Sequence, residues 1–216
     1  MKLDLNDEAL VEKFRQTKDK TLFKSLVRRY QNRIYNAAYR MLGNKEEAEE
    51  VVQDTFIKMH QSLDKFRNQA SFAAWLFRIS HNVSIDRLRA RRRKNKSGFA
   101  LFSFNPLSTI GGDGDEERGG VVQQVADERP DPQQEIDLSE ESKVIEQSLR
   151  LLPENQRAVL ILHDIEGFSY QDIAEIIGAN IGTVRSRLHY GRQKLKELLL
   201  PYYFDTKTKV TENERT

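Results

Sequence analysis

The side chains best suited to bind a charged ligand lie close together between residues 178 and 195. Arginine and lysine cations bind phosphate, and an arginine guanidinium can also form two parallel hydrogen bonds with a guanine edge. Short polar side chains add contacts to bases or phosphates. The polar and basic residues of this stretch are Thr183, Arg185, Ser186, Arg187, His189, Tyr190, Arg192 and Lys194. Their types favour binding to a nucleic acid.

The elements that position these side chains can be predicted from the same stretch. Val184, Leu188, Gly191 and Leu195 recur at helical spacing and form one apolar stripe, and the helix is expected from about Ile181 to Leu200, where Pro201 ends it. "SYQD" at 169–172 is a capping box that starts a shorter helix, which Gly178 ends. Two helices joined by a tight turn predict a helix-turn-helix, which places the start of its second helix at base edges.

A solvated surface helix is the competing interpretation of such a basic stretch. The capping box, the turn and the apolar stripe agree with one another, so DNA binding is favoured. A second basic run supports this interpretation, because seven of the ten residues from Arg87 to Lys96 are Lys or Arg. That run ends a long helix predicted from about Phe72 to Arg93 after Ser71 as its cap. The helix has two apolar faces, with Arg78, Asn82 and Arg89 on a polar edge between them.

A third helix, predicted from Asn44 to about Ser62, has an acidic and polar strip opposite its apolar face. The strip contains one isoleucine, which is a plausible anchor for a protein partner, although single exposed apolar residues are common. Its members are Glu50, Gln53, Asp54, Ile57 and Gln61. Further helices are expected over Leu22–Leu42, Leu138–Leu151 and from Pro153 to about Asp164, and no strand pattern competes. The fold class is therefore all-α.

Charge divides the chain into parts. Residues 1–96 have a net charge of +10, residues 97–141 of −9, and residues 142–216 of +1. The acidic part contains three of the five prolines and several glycines, which predicts a flexible linker. We expect a first domain at 1–96, a linker at 97–137, a second domain at 138–200 and a tail at 201–216. No cysteine, targeting segment or long apolar stretch is present, which favours the cytoplasm and excludes thiolate chemistry.

With these residues in view, the sequence resembles the extracytoplasmic-function sigma factors of bacterial RNA polymerase. The resemblance rests on "EEAEEVVQDTFIKMHQSLDKFRNQASFAAWLFRISHNVSIDRLRARRRK" and "LPENQRAVLILHDIEGFSYQDIAEIIGANIGTVRSRLHYGRQKLKELL". It implies two small helical domains, sigma region 2 and sigma region 4. It also implies a non-enzymatic promoter-specificity subunit without cofactor or metal, used in a stress or envelope response. The implied partners are promoter DNA, the clamp helices and flap of core polymerase, and an anti-sigma factor that is often membrane-bound.

The resemblance also implies roles for particular residues. The strip with Gln53, Asp54 and Ile57 docks on the clamp helices, and the last helix reads the −35 element, with Arg185, Ser186 and His189 at bases and its other cations nearer phosphates. The loop over residues 64–70 captures an unstacked base of the −10 element. The expected −10 and melting residues are Phe66, Arg67, Arg78, Asn82, Arg89, Arg91 and Arg92. Relatives often have a basic residue at the position of Tyr190, so their −35 preference does not transfer.

Two other functions were considered. A stand-alone helix-turn-helix regulator accounts for the last helix but leaves the aromatic long helix and Ile57 without a role. An enzyme is disfavoured, because "GGDGDEERGG" has no lysine after its glycines and no strand–helix context for a phosphate-binding loop.

Overall fold

The computed structural model describes residues 5–67, 70–99 and 140–213, and it places side chains for residues 5–67, 70–93 and 141–202. Every regular element in these ranges is helical, which confirms the all-α prediction. Four helices precede the gap: α1 (Asp7–Thr17), α2 (Lys20–Leu42), α3 (Lys45–Ser62) and α4 (Phe72–Phe99). We call them the amino-terminal bundle. The carboxyl-terminal group comprises α5 (Glu140–Arg150), α6 (Glu154–Leu160), α7 (Tyr170–Ile177) and α8 (Ile181–Asn213).

The predicted caps of the amino-terminal bundle are present. The Asn44 side chain accepts the Glu47 N–H at 2.7 Å and begins α3, and Ser71 Oγ accepts the Ala74 N–H at 3.1 Å and begins α4. Gly43 ends α2 with a φ of 73°, in the left-handed region that glycine adopts without strain. Because these caps act over three or four residues, sequence reasoning finds them correctly.

Helix α1 was not predicted. Asn6 caps it by accepting the Ala9 N–H at 2.8 Å, and Leu10, Val11 and Phe14 are buried against the bundle. Leu10, Val11 and Phe14 lie on one face at helical spacing, and Asn6 followed by two acidic residues is a helix start, so the sequence carries a signal for this helix that the prediction overlooked. The bundle therefore starts well before Leu22, where the first helix was expected.

Helix α4 is buried from two sides, as its two apolar faces predicted. Phe72, Leu76 and Val83 lie in the bundle core, and Phe77 packs edge-to-face on Phe168 of the carboxyl-terminal group, with ring centroids 4.9 Å apart. The helix continues to Phe99, beyond both Arg93 and the expected domain boundary at 96. Most of the predicted linker, 97–137, lies outside the described residues.

The carboxyl-terminal group differs from expectation at two places. The helix after Pro153 changes at Leu160 into a π-helical turn, Ile161–Ile165, before the chain reaches α7. Helix α8 does not end at Pro201 but continues to Asn213 with the proline inside it. The prediction that Pro201 stops the helix was wrong. A proline removes one backbone hydrogen bond and usually kinks or ends a helix, but the loss can be tolerated where the chain continues with helical φ.

The two groups of helices pack against each other. Glu166 accepts a hydrogen bond from Arg33 at 3.0 Å, and Arg92 pairs with Glu154 at 2.9 Å. Arg150 lies over the ring of Tyr39 at 5.0 Å. The sequence contains two domains, yet in this structure their buried side chains form one continuous core.

Candidate nucleic-acid interface

The second helix of the predicted helix-turn-helix is seated by its apolar stripe. Val184 and Leu188 are fully buried, and Gly191 packs so closely on α6 that an added Cβ would lie 3.1 Å from Leu160 Cδ1. The capping box of α7 is complete, since Ser169 and Asp172 each bond the other's backbone, and Gly178 ends α7 with a φ of 65°. Asn180 then caps α8 by accepting the Thr183 N–H at 2.7 Å. The predicted motif is thus assembled.

The face of α8 opposite this stripe points outward. Arg185, Ser186, His189 and Tyr190 are all exposed, and Tyr190 retains 59% of its accessible surface. The Arg185 guanidinium lies 5.9 Å from the ring centroid of Tyr170, the first residue of α7. Such a cation–π contact restricts a long side chain without using its N–H donors. Among the described side chains none forms a hydrogen bond or ion pair with Arg185, so its N–H donors can meet a base edge.

The two cations at the end of this face are engaged within the chain. Arg192 bonds the Asp164 carboxylate through two nitrogens, one of them Nε at 3.0 Å. Burial acts to raise the pKa of Asp164, but hydrogen bonds from Arg192 and His163 outweigh it and hold the pKa below its ordinary value. Lys194 pairs with Glu197 at 3.0 Å. We expected both cations near phosphates. In the structure Arg192 instead bonds Asp164 of the π-helical turn, and Lys194 bonds Glu197 of its own helix.

Thr183 and Arg187 are half-buried. Together with Arg78 of α4 and Glu175 of α7 they line a cleft of about 830 Å³ between the two groups of helices. His81 lies beside it, where burial lowers its pKa to about 4 and the charges of Arg187 and Arg89 act in the same direction. Residues expected at two different DNA elements therefore line the same cleft.

The predicted −10 residues other than Phe66 are all exposed, but the arginines of the basic run also have partners within the chain. Arg89 pairs with Asp86 of its own helix at 3.6 Å. The side chains of Arg91 and Arg92 are tied to other elements, Arg91 to the Leu42 carbonyl at 3.4 Å and Arg92 to Glu154. Lys94 and Lys96 of the basic run lie outside the described side chains.

The expected role of Phe66 is not compatible with its position in the structure. It was expected to stack on an unpaired base, but only 3% of its surface is exposed, and its ring packs 5.2 Å from Trp75 and 5.7 Å from Phe72. The aromatic side chain fills the core because its apolar area gains more from burial than from a partly wet loop position. In this structure Phe66 anchors the loop, and Arg67 is the exposed residue next to it.

Comparisons with known proteins match both halves of the chain. The sigma-70 region 2 family model matches residues 26–94, and the sigma-70 region 4 model matches residues 142–195. The ECF RNA polymerase sigma-E factor of Haemophilus influenzae is 33% identical over 197 residues, which cover 91% of this chain and 97% of that protein. The chain belongs to the extracytoplasmic-function sigma factors. Region 2 lies within the amino-terminal bundle and region 4 within the carboxyl-terminal group.

Two further relatives support this sigma-factor assignment. The ECF RNA polymerase sigma factor SigE of Mycolicibacterium smegmatis is 34% identical over 181 residues, which cover 84% of this chain but 63% of that longer protein. The sigma factor RpoE of Bartonella quintana, solved in complex with the anti-sigma factor NepR, superposes with a TM-score of 0.59 at 28% identity, over 82% of this chain and 96% of that one.

In this sigma factor the expected polymerase-binding strip lies on one exposed side of α3. Glu50, Gln53, Ile57 and Gln61 are exposed, and Ile57 retains 45% of its surface. The acidic residues are not free: Glu50 and Asp54 both accept from Arg87 of α4, Asp54 at 2.8 Å. Ile57 is thus an exposed apolar side chain beside a charge-paired edge.

Sequence reasoning missed the residues that contact the expected binding residues. Tyr170 and Asp164 steady Arg185 and Arg192 from neighbouring elements, and Arg87 holds the acidic strip. The capping-box motif contains Tyr170, but nothing in helical spacing reveals a contact between two helices. Within the described part of the chain, no group of three or more His, Asp or Glu side chains is arranged to hold a metal, and no helix is long and apolar enough to cross a bilayer.

Proposed function

We propose that this sigma factor binds core RNA polymerase through the Ile57 strip of α3 and selects promoters with two separate surfaces. Arg185, Ser186 and His189 read the −35 element from the major groove. Arg67, Arg78 and Asn82 act at the −10 element, where guanidinium groups can stack on splayed bases and an amide can bond a base edge. The protein works as a non-enzymatic specificity subunit in the cytoplasm and serves a stress or envelope response.

One observation carries the −35 assignment. The buried stripe and the tightly packed Gly191 fix α8 so that Arg185 faces outward, and Tyr170 holds its guanidinium there. A solvated basic helix would not need an aromatic support from the preceding helix of a helix-turn-helix. Arg192 and Lys194 are proposed to contribute less than Arg185 to DNA binding. Each already has an acidic partner within the chain.

The observed arrangement is not the promoter-bound one. The −35 and −10 elements are named for positions about 25 base pairs apart. At about 3.4 Å per base pair, this is an axial distance of about 85 Å on B-form DNA. Arg187 of region 4 and Arg78 of region 2 line a single cleft. The two regions therefore have to separate before both elements can be engaged, and the described contacts between them belong to another state. An anti-sigma partner, as in the Bartonella quintana complex, is proposed to act on these same regions.

The experiment that tests this function is run-off transcription of fragmented genomic DNA by core polymerase, with and without the protein. New discrete transcripts are expected, and their start sites define both promoter elements. The variant Arg185→Ala should reduce them, whereas Lys143→Ala, which removes an exposed cation of α5, should not. Specific duplex binding by the free protein without any new transcript would instead establish a stand-alone regulator.

A further inference from the structure

Arg15 lies in α1 and bonds the backbone at the start of the loop over residues 64–70. We call this loop, which is proposed to act at the −10 element, the −10 loop. Its guanidinium donates to the backbone carbonyl of Leu63, through Nη2 at 2.8 Å and Nε at 3.2 Å, and to that of Asp64 at 3.3 Å. A third carbonyl, that of Phe66, accepts from the same Nη2. These carbonyls belong to the short 3₁₀ turn after α3 (Leu63–Lys65) and to Phe66, which follows it, and the Leu63 carbonyl also accepts the Phe66 N–H at 3.2 Å. One cation therefore ties three carbonyls of this turn together.

Helix α1 also reaches the other end of this loop. Glu8 Oε1 accepts the backbone N–H of Phe72, the first residue of α4, at 3.1 Å. Beyond the last turn of α1, Lys18 Nζ lies 3.0 Å from Asp64 Oδ1. The ends of the loop are thus tied to a single rigid element, and Arg67, next to Phe66, is exposed between them.

We propose that Arg15 is a positioning residue for promoter recognition. It holds the segment 63–67 in the shape that presents Arg67 to the −10 element. The inference rests on the proposed role of this loop, but it assigns a function to α1, which precedes the residues 26–94 matched by the region 2 family. Arg15 itself contacts no DNA in this role.

The geometry requires arginine rather than lysine. A guanidinium has five N–H donors in a fixed plane and can bond several carbonyls at once, whereas an ammonium presents three donors from a single atom. The Arg15 guanidinium also lies 6.0 Å from the ring of Phe66, so the cation contacts both the backbone and the anchoring side chain of the loop.

Attachment of α1 to the bundle does not depend on Arg15. Leu10 and Val11 are completely buried and Phe14 nearly so, whereas the Arg15 side chain keeps 21% of its surface exposed. Val11→Ala is therefore a matched control, because it weakens the same helix without touching a loop carbonyl. Substitutions at Arg15 and Val11 separate loop positioning from the stability of α1.

The test measures how well holoenzyme distinguishes bases at −10. Full-length variants are assembled with core polymerase on a promoter mapped by the run-off assay and on copies with one −10 base changed. A well-read base pair is preferred by about 5-fold to 150-fold. We expect Arg15→Ala to lower this ratio about threefold, towards no preference, and to leave discrimination at −35 unchanged. Arg15→Lys should restore part of it, and Val11→Ala should leave the ratio as in the wild type.

A second measurement is the permanganate reactivity of thymines at −10, which reports whether these bases are unpaired. This reactivity should fall for Arg15→Ala. Equal ratios for Arg15→Ala and Val11→Ala would overturn the proposal, because the effect would then belong to helix stability. If Arg67→Ala loses discrimination while Arg15→Ala keeps it, the loop reads DNA without help from Arg15. If both keep it, the loop is not the −10 reader and the proposed site itself fails. If Arg15→Ala does not fold, the test depends on Arg15→Lys. A −10 base preference of Arg15→Lys equal to that of the wild type would then contradict the proposal.

Discussion

The guanidinium of Arg157 in region 4 donates a 2.6 Å hydrogen bond to the backbone carbonyl of Met41 in region 2, 116 positions earlier. Met41 is in the last turn of α2, where carbonyls are unpaired and the helix dipole favours a cation. Arg157 also donates to the Leu152 carbonyl at 3.0 Å and is buried, which lowers its pKa. Through these two bonds the buried cation joins the two regions by the backbone of both, while its Nε has no hydrogen-bond partner among the described residues.

The charge pair between Arg33 and Glu166 tests whether the two regions are held together in solution. Glu166→Lys should place two cations together and separate the regions, and Arg33→Glu combined with Glu166→Lys should bring them back. We expect a coupling energy of about 1 kcal/mol in this double-mutant cycle. Because the chain has no cysteine, Lys20→Cys and Lys196→Cys provide specific labels for fluorescence energy transfer. Identical transfer in all four forms would contradict an associated free state.

Support of Arg185 by Tyr170 predicts a graded loss of −35 recognition. Arg185→Ala should cost about 1–3 kcal/mol of binding and relax preference at one base position. Tyr170→Ala should give a smaller loss at that same position, whereas Tyr170→Phe keeps the ring and should bind as the wild type does. Affinity is measured on a −35 duplex and its single-base variants at fixed salt. A loss from Arg185→Ala that is equal on every sequence would instead make this residue a phosphate contact.

The Asp164–Arg192 pair predicts an acid-dependent contribution to stability. The folded state lowers the pKa of Asp164 below 3.8, so the unfolded state binds this proton more readily. The contribution is therefore complete above the unfolded pKa and is lost as pH falls through the folded one. Asp164→Asn should be less stable than the wild type at pH 6, and the difference should shrink below about pH 4. Thermal unfolding at several pH values measures this, and a difference that persists unchanged at low pH would rule the pair out.

Docking through Ile57 predicts a loss of core polymerase binding without a loss of stability. Ile57→Ala removes an exposed apolar side chain, and we expect the Kd for core enzyme to rise about tenfold. Charge reversal at Asp54 is a less specific test, because Asp54 is bonded to Arg87 and its replacement also disturbs α4. Arg87→Ala measures that disturbance separately. Unchanged core binding by Ile57→Ala, at an unchanged melting temperature, would place the interface elsewhere.

Local patterns in the sequence determined most of the helices and which face of the last one is buried. Asn44, Ser71 and Ser169 cap helices within three residues of themselves, and the stripe of Val184 and Leu188 is read from neighbouring turns. Such signals need only the rise and periodicity of one helix, so they can be predicted without a structure. The exposed Arg185 and Ile57 follow from the same periodicity.

Only the tertiary structure decided which of the predicted side chains are exposed and without a partner within the chain. Phe66 is buried rather than open to a base, Arg192 is paired with Asp164, and Arg157 joins region 4 to Met41. Helix α1 carries Arg15, which bonds a carbonyl 51 positions away. Each of these outcomes depends on how distant helices pack, because burial and hydrogen-bond partners are set by the neighbours in space. Sequence spacing gives the face of a helix but does not reveal what that face meets.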